Sequence, residues 1–251
     1  MRRIAPWVYL LAAALAIPAT AAAQTTSTPA RRAHTHTDPA LYHPAELRAK
    51  APAEYEVKFV TTKGDFVIQA TRAWAPLGAD RFYNLVRHGY FKGDSFFRVV
   101  PGFVVQFGLS PSPGINKAWE KATIKDDPVS QSNRAGTITF ATSGTNTRTT
   151  QVFINMGDNS QLDSQGFSPF GQVTSGLDVV QALYSGYGDL PEMGGRGPSE
   201  DRISSEGKVY LEKDFPKLDS IVTAEIISPA PAAEHSPHKS GGAAGAGSSK
   251  Q

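Results

Sequence analysis

Between residues 53 and 227 the chain is a succession of short apolar runs cut by turn residues, and this pattern limits its possible folds more than any other feature. "YEVKFVTT" alternates apolar and polar residues, "KGD" supplies a turn and "FVIQAT" resumes extended chain, which together predict a hairpin. "SFFRVV" and "FVVQFG" flank Pro101 and Gly102, the residues of a tight turn between two strands. "GTITFAT", "QVFIN", "FSPFGQV" and a final "SIVTAEII" add further strands. Two stretches carry a helical stripe: "APLGADRFYNLVRHGYF", with Ala79, Phe82, Tyr83 and Val86, and "GLDVVQALYSG", with Leu177, Val180, Leu183 and Tyr184. Many short strands with two helices predict a mainly β domain, a closed or nearly closed antiparallel barrel rather than alternating α/β units. Within residues 186–217, "GYGDLPEMGGRGP" reads as a loop and "SEGKVYLEKDF" as a short helix or an extra edge segment.

The flanks have a different character. Residues 1–23 start with Arg2 and Arg3, continue through "WVYLLAAALAI" and end in small residues, the pattern of a secretory signal peptide with a cut expected after Ala23. That apolar run is shorter than the roughly 20 residues needed to span a bilayer, so no stable membrane insertion is expected after cleavage. The mature protein is expected to be periplasmic or secreted. Residues 24–52, rich in Thr, Ala and Pro, read as a flexible linker, and residues 228–251 as a disordered low-complexity tail. His34, His36 and His43 fall in the linker and read as solvated rather than metal-binding.

The chain of 251 residues, 40% hydrophobic, fits one globular domain with tails. It has no cysteine, which removes disulfides, thiol nucleophiles and thiolate metal sites. A formal net charge of +2 argues against nucleic acid as a partner. There is no G-x-S-x-G elbow, no P-loop and no dinucleotide fingerprint, so neither hydrolysis nor any cofactor is indicated.

One stretch demands a chemical explanation. "FFRVVPGFVVQFG" reads as buried strand yet carries Arg98 and Gln106, and burying a charge without a partner costs several kcal/mol. Together with "GTITFATSGTNTRTTQVFIN" and "LDSQGFSPFGQV", in that order, it resembles the cyclophilin family of peptidyl-prolyl isomerases across the whole core, in the manner of a bacterial, exported member. The resemblance implies an eight-stranded closed antiparallel β-barrel capped by two α-helices. It implies Arg98 as catalytic residue and Phe103, Val104, Gln106, Ala141, Thr142, Gln151, Phe153, Leu162 and Phe167 as substrate-binding residues. Thr142 departs from the family's common asparagine, Gln161 from an aromatic, and Phe167 from a histidine or tyrosine. Arg148, within "GTNTRTTQ", reads by itself as a solvated charge.

The implied chemistry is physically coherent. An X-Pro amide resists rotation with a barrier of roughly 18–20 kcal/mol because nitrogen lone-pair donation gives it double-bond character. In the twisted form the proline nitrogen regains a lone pair, and a guanidinium is a permanently charged donor for it. No group in such a mechanism titrates near neutrality, so turnover is expected to vary little over about pH 6 to 8. The expected partners are proline-containing unfolded or extended polypeptides met by a monomer, and the expected role is assistance to protein folding. The alternative is a non-catalytic proline-peptide-binding chaperone module. A weaker one is a scaffold that uses residues 186–217, read as an insertion, to hold a partner.

Overall fold

The computed structural model describes residues 37–228, so the expected signal peptide, His34, His36 and the expected tail beyond Ser228 lie outside the described residues. The chain forms β1 (Glu54–Thr61) and β2 (Asp65–Thr71), then α1 (Pro76–Arg87), β3 (Arg98–Val100), β4 (Val104–Phe107) and α2 (Pro113–Trp119). It continues through β5 (Thr137–Phe140), β6 (Val152–Asn155), β7 (Pro169–Ser175) and α3 (Leu177–Gln181). Two short helices, α4 (Glu200–Glu206) and α5 (Lys208–Asp214), precede β8 (Ile221–Ser228).

The eight strands form one antiparallel sheet in the order β3-β4-β6-β5-β7-β2-β1-β8. The sheet curls until its ends approach. They meet through the bridge between Ser95 and Ser220 and flanking bonds such as Phe96 N–H to the Asp219 carbonyl at 3.0 Å, not through a ladder between β3 and β8. The expected closed barrel is therefore a curled sheet stitched at one seam. Its interior is aromatic, with Phe59, Phe66, Phe82, Phe91, Phe96, Phe107, Phe140 and Phe170 fully buried. Phe59 and Phe66, cross-strand partners on β1 and β2, stack at 4.9 Å between ring centroids.

Three expectations are corrected. Residues 37–52 are not free linker. Leu41 and Ala51 are buried, the Trp119 indole donates to the Leu41 carbonyl at 2.8 Å, and Asp80 and Asn84 of α1 accept from Ala51 and Ala49 N–H groups. The second predicted helix shrinks to the five residues of α3, while α2, α4 and α5 appear where no stripe predicted them, except for the short helix allowed within "SEGKVYLEKDF". Arg148, 3% exposed, pairs with Asp127 at 3.1 Å, and that carboxylate accepts the Leu77 and Gly78 N–H groups at the start of α1. The charge thus fastens a loop to a helix rather than sitting in water.

Candidate active site

Period two decides which side chains leave the core. Along β4, Val105 and Phe107 enter the barrel interior while Val104 and Gln106 face outward, and on β6 Val152 and Ile154 point in while Phe153 points out. Register then aligns the outward set: Arg98 lies opposite Gln106, and Gln106 opposite Phe153. Between β3 and β4, Phe103 N–H donates to the Val100 carbonyl at 3.0 Å, and Gly102 takes φ 74°, as the third residue of a type II turn requires. That turn sets Phe103 at the end of the outward row.

Val104, Phe153 and Leu162 form an apolar cluster separate from the barrel core, with Phe103, Ala141 and Phe167 packed against it. Phe167 meets Phe153 edge to face at 5.6 Å, so its ring joins the apolar floor. The cluster lies in a groove of about 1050 Å³, at the upper end of ordinary ligand-site volumes. Its other walls come from α2, through Asn116 and Trp119, and from the insertion, through Leu190, Met193 and Glu200.

At the groove wall stands a chain of polar side chains. Arg98 Nη1 donates to Gln106 Oε1 at 3.0 Å, Gln106 Nε2 donates to Gln151 Oε1 at 2.8 Å, and both glutamine amides donate to Glu200 at 3.2 Å. At the opposite end Arg98 Nε and Nη2 donate to Asp189 at 2.7 and 3.3 Å. The guanidinium carbon lies 5.5 Å from the centroid of Phe103. The charge placed in a strand is thus paired and hydrogen-bonded, which removes most of the burial penalty. Three of the five guanidinium N–H groups are engaged, and one on each terminal nitrogen has no partner among the described residues.

Burial, foremost, together with the nearby carboxylates of Glu192 and Asp201, pushes the Glu200 carboxyl above its usual value of 4.5, against the opposing effects of Gln151 and Arg98. Neither Asp189 nor Glu200 was visible as a site residue in the sequence, where both fall in a Gly/Pro-rich stretch.

The second motif forms the groove's rim. Ala141 N–H donates to the Gln151 carbonyl at 3.0 Å, and Ser143 N–H to Thr147 Oγ1 at 3.0 Å. The main-chain N–H and C=O of Thr142 have no protein partner among the described residues, which suits an edge that receives a peptide. The Thr142 hydroxyl turns back to Thr147 Oγ1 at 2.8 Å and to the Gly144 carbonyl. Gln161 is exposed and does not extend the apolar floor.

Residues 56–206 match the family described as cyclophilin type peptidyl-prolyl cis-trans isomerase/CLD. The chain belongs to this family. It is 33% identical over 142 residues to a peptidyl-prolyl cis-trans isomerase of Acinetobacter baylyi, covering 55% of this chain and 76% of that protein. Peptidyl-prolyl cis-trans isomerase B of Escherichia coli (strain K12) is 29% identical over 181 residues, 68% of this chain and 99% of that protein. In fold, this cyclophilin is similar to a Cryptosporidium parvum cyclophilin type isomerase crystallised in the presence of the dipeptide Ala-Pro, with a TM-score of 0.52 and 21% identity over 69% of this chain and 99% of that one. No group of three or more His, Cys, Asp or Glu residues suited to a metal occurs among the described residues.

Proposed function

We propose that this cyclophilin accelerates rotation about X-Pro bonds in exported polypeptides and so assists their folding, with Arg98 as the catalytic residue. The proline ring rests on Phe103, Val104, Phe153 and Leu162, and Thr142 pairs its main chain with the peptide. The two unspent N–H groups of Arg98 then face the amide nitrogen as it becomes pyramidal. One observation carries the reading: a paired guanidinium with donors to spare lies over an apolar cluster that belongs to the groove and not to the core. The Ala-Pro dipeptide named with the Cryptosporidium structure supports a proline-containing substrate. Export rests on the signal-like residues 1–23, and a monomeric state is part of the same reading.

A protease-free isomerisation assay tests it. Arg98→Ala is expected to lower kcat/KM by about 100-fold or more, with a thermal transition close to wild type. Full retained activity rejects the assignment. The non-catalytic chaperone reading draws on exposed Gln161, which leaves the floor short of an aromatic. Peptide binding without faster cis/trans exchange in NMR would select it.

A further inference from the structure

We propose that Asp189 is a positioning residue for the isomerase reaction: delivered by the 186–217 insertion, its carboxylate orients the Arg98 guanidinium so that the remaining donors face the proline site. The inference rests on the isomerase reading above and adds a residue to it.

An arginine side chain ends in a planar fork on a flexible stem, and one neutral hydrogen bond does not define the plane of the fork. In this structure three bonds define it. Asp189 grips the Nε and Nη2 edge side-on at 2.7 and 3.3 Å, and Gln106 takes Nη1 at 3.0 Å. Planar carboxylate against planar guanidinium is the geometry that adds orientation as well as attraction. With Asp189 gone, Arg98 would keep only the neutral contact to Gln106 and the face of Phe103.

The carboxylate is itself held. Asp189 Oδ1 accepts the Leu190 N–H at 2.7 Å, and the Asp189 carbonyl accepts the Gly197 N–H at 2.8 Å. Chain packs against it so closely that a Cβ on Gly195 would stand 2.0 Å from that carbonyl oxygen, so this position admits no side chain. Gly195 and Gly197 of "MGGRGP" serve this close approach.

The ion pair is not needed to dock the insertion. Leu190, Ile203, Tyr210 and Leu211 bury themselves against Phe97 and Leu109 of the barrel in an apolar cluster of their own. Removing the carboxylate therefore tests orientation and not attachment.

The experiment uses the full chain and a tetrapeptide containing Ala-Pro, with kcat and KM measured separately by protease-free kinetics. Asp189→Asn is expected to lower kcat about tenfold with KM changed by less than about twofold, because misorientation of a reacting group is lost in the transition state. Asp189→Glu, which restores the charge, should recover at least about threefold of that loss. In an Arg98→Ala background the Asn substitution should change the residual rate by less than about twofold, since it acts through the missing guanidinium.

An unchanged or higher kcat in Asp189→Asn overturns the proposal, as does a loss confined to KM or an equal loss without Arg98. Hydrogen exchange of residues 200–214 should match wild type; lost protection there would assign the defect to undocking and also overturn it. If Arg98→Ala itself stays fully active, the isomerase site is wrong. An inactive Arg98→Ala with an indifferent Asp189→Asn removes only the positioning role.

Discussion

The two walls of the groove are built on different physics. The barrel wall, with Arg98, Gln106 and Phe153, takes its geometry from strand register, where each side chain's neighbour is fixed by the ladder. The insertion wall, with Asp189 and Glu200, has no ladder. It is held by a small apolar cluster, close glycine packing and the polar groups themselves. The donor thus sits on the rigid wall, while the carboxylates that orient it and its glutamine neighbours sit on the wall with fewer constraints.

The comparison can be broken at the cluster under the insertion. Ile203 is fully buried there, and Ile203→Ala is expected to cost about 2–5 kcal/mol locally. Hydrogen exchange should then show lost protection across residues 200–214 with β4 and β6 unchanged. Equal loss in both walls would mean that they form one cooperative unit.

A smaller effect sharpens it through acid. Because the folded Glu200 holds its proton more tightly than an ordinary glutamate of value 4.5, its ionised form lowers stability at neutral pH, and this cost disappears as pH falls through the raised value. A protonated carboxyl no longer accepts from both Gln106 and Gln151. The kcat/KM profile should therefore decline on its acid side at a pH above 4.5, with the limb flattened in Glu200→Gln. A wild-type acid limb that persists unchanged in Glu200→Gln would disconnect the carboxylate from the site.

The smallest effect is expected on the rim. Thr142 offers main-chain groups while its hydroxyl is spent on its own loop, so Thr142→Asn should change kcat/KM by less than about twofold. A larger change would show that the side chain enters the groove.

What was legible in the sequence follows the same division. Arg98, Val104, Gln106 and Phe153 were named through the resemblance, while the sequence alone showed only extended chain there; it is the register in the structure that places Arg98 opposite Gln106 and Gln106 opposite Phe153. Phe103 and Leu162 were placed by the resemblance, and the structure brings them to the same cluster. Asp189 was hidden because nothing local marks a loop carboxylate as the partner of an arginine 91 residues away in the chain, and Glu200 because its glutamine partners lie 94 and 49 residues away. The helix α2 was missed because "PGINKAW" buries only two large apolar residues, Ile115 and Trp119, beside the polar Asn116, and has no side-chain cap at Ser112. Residues 37–52 looked like linker by composition, yet a few specific contacts, among them Trp119 to Leu41, hold them to the domain. Arg148 looked solvated because its partner Asp127 lies in another loop.

The seam between Ser95 and Ser220 is where the barrel can admit extra chain. Chain added between α3 and β8 enters just ahead of the one joint that no continuous ladder crosses, so extra length there displaces no strand from its pairing. The joint is thus the natural port for new sequence, and because Arg98 opens β3 just after Ser95, a segment grafted there can reach that guanidinium, as Asp189 does.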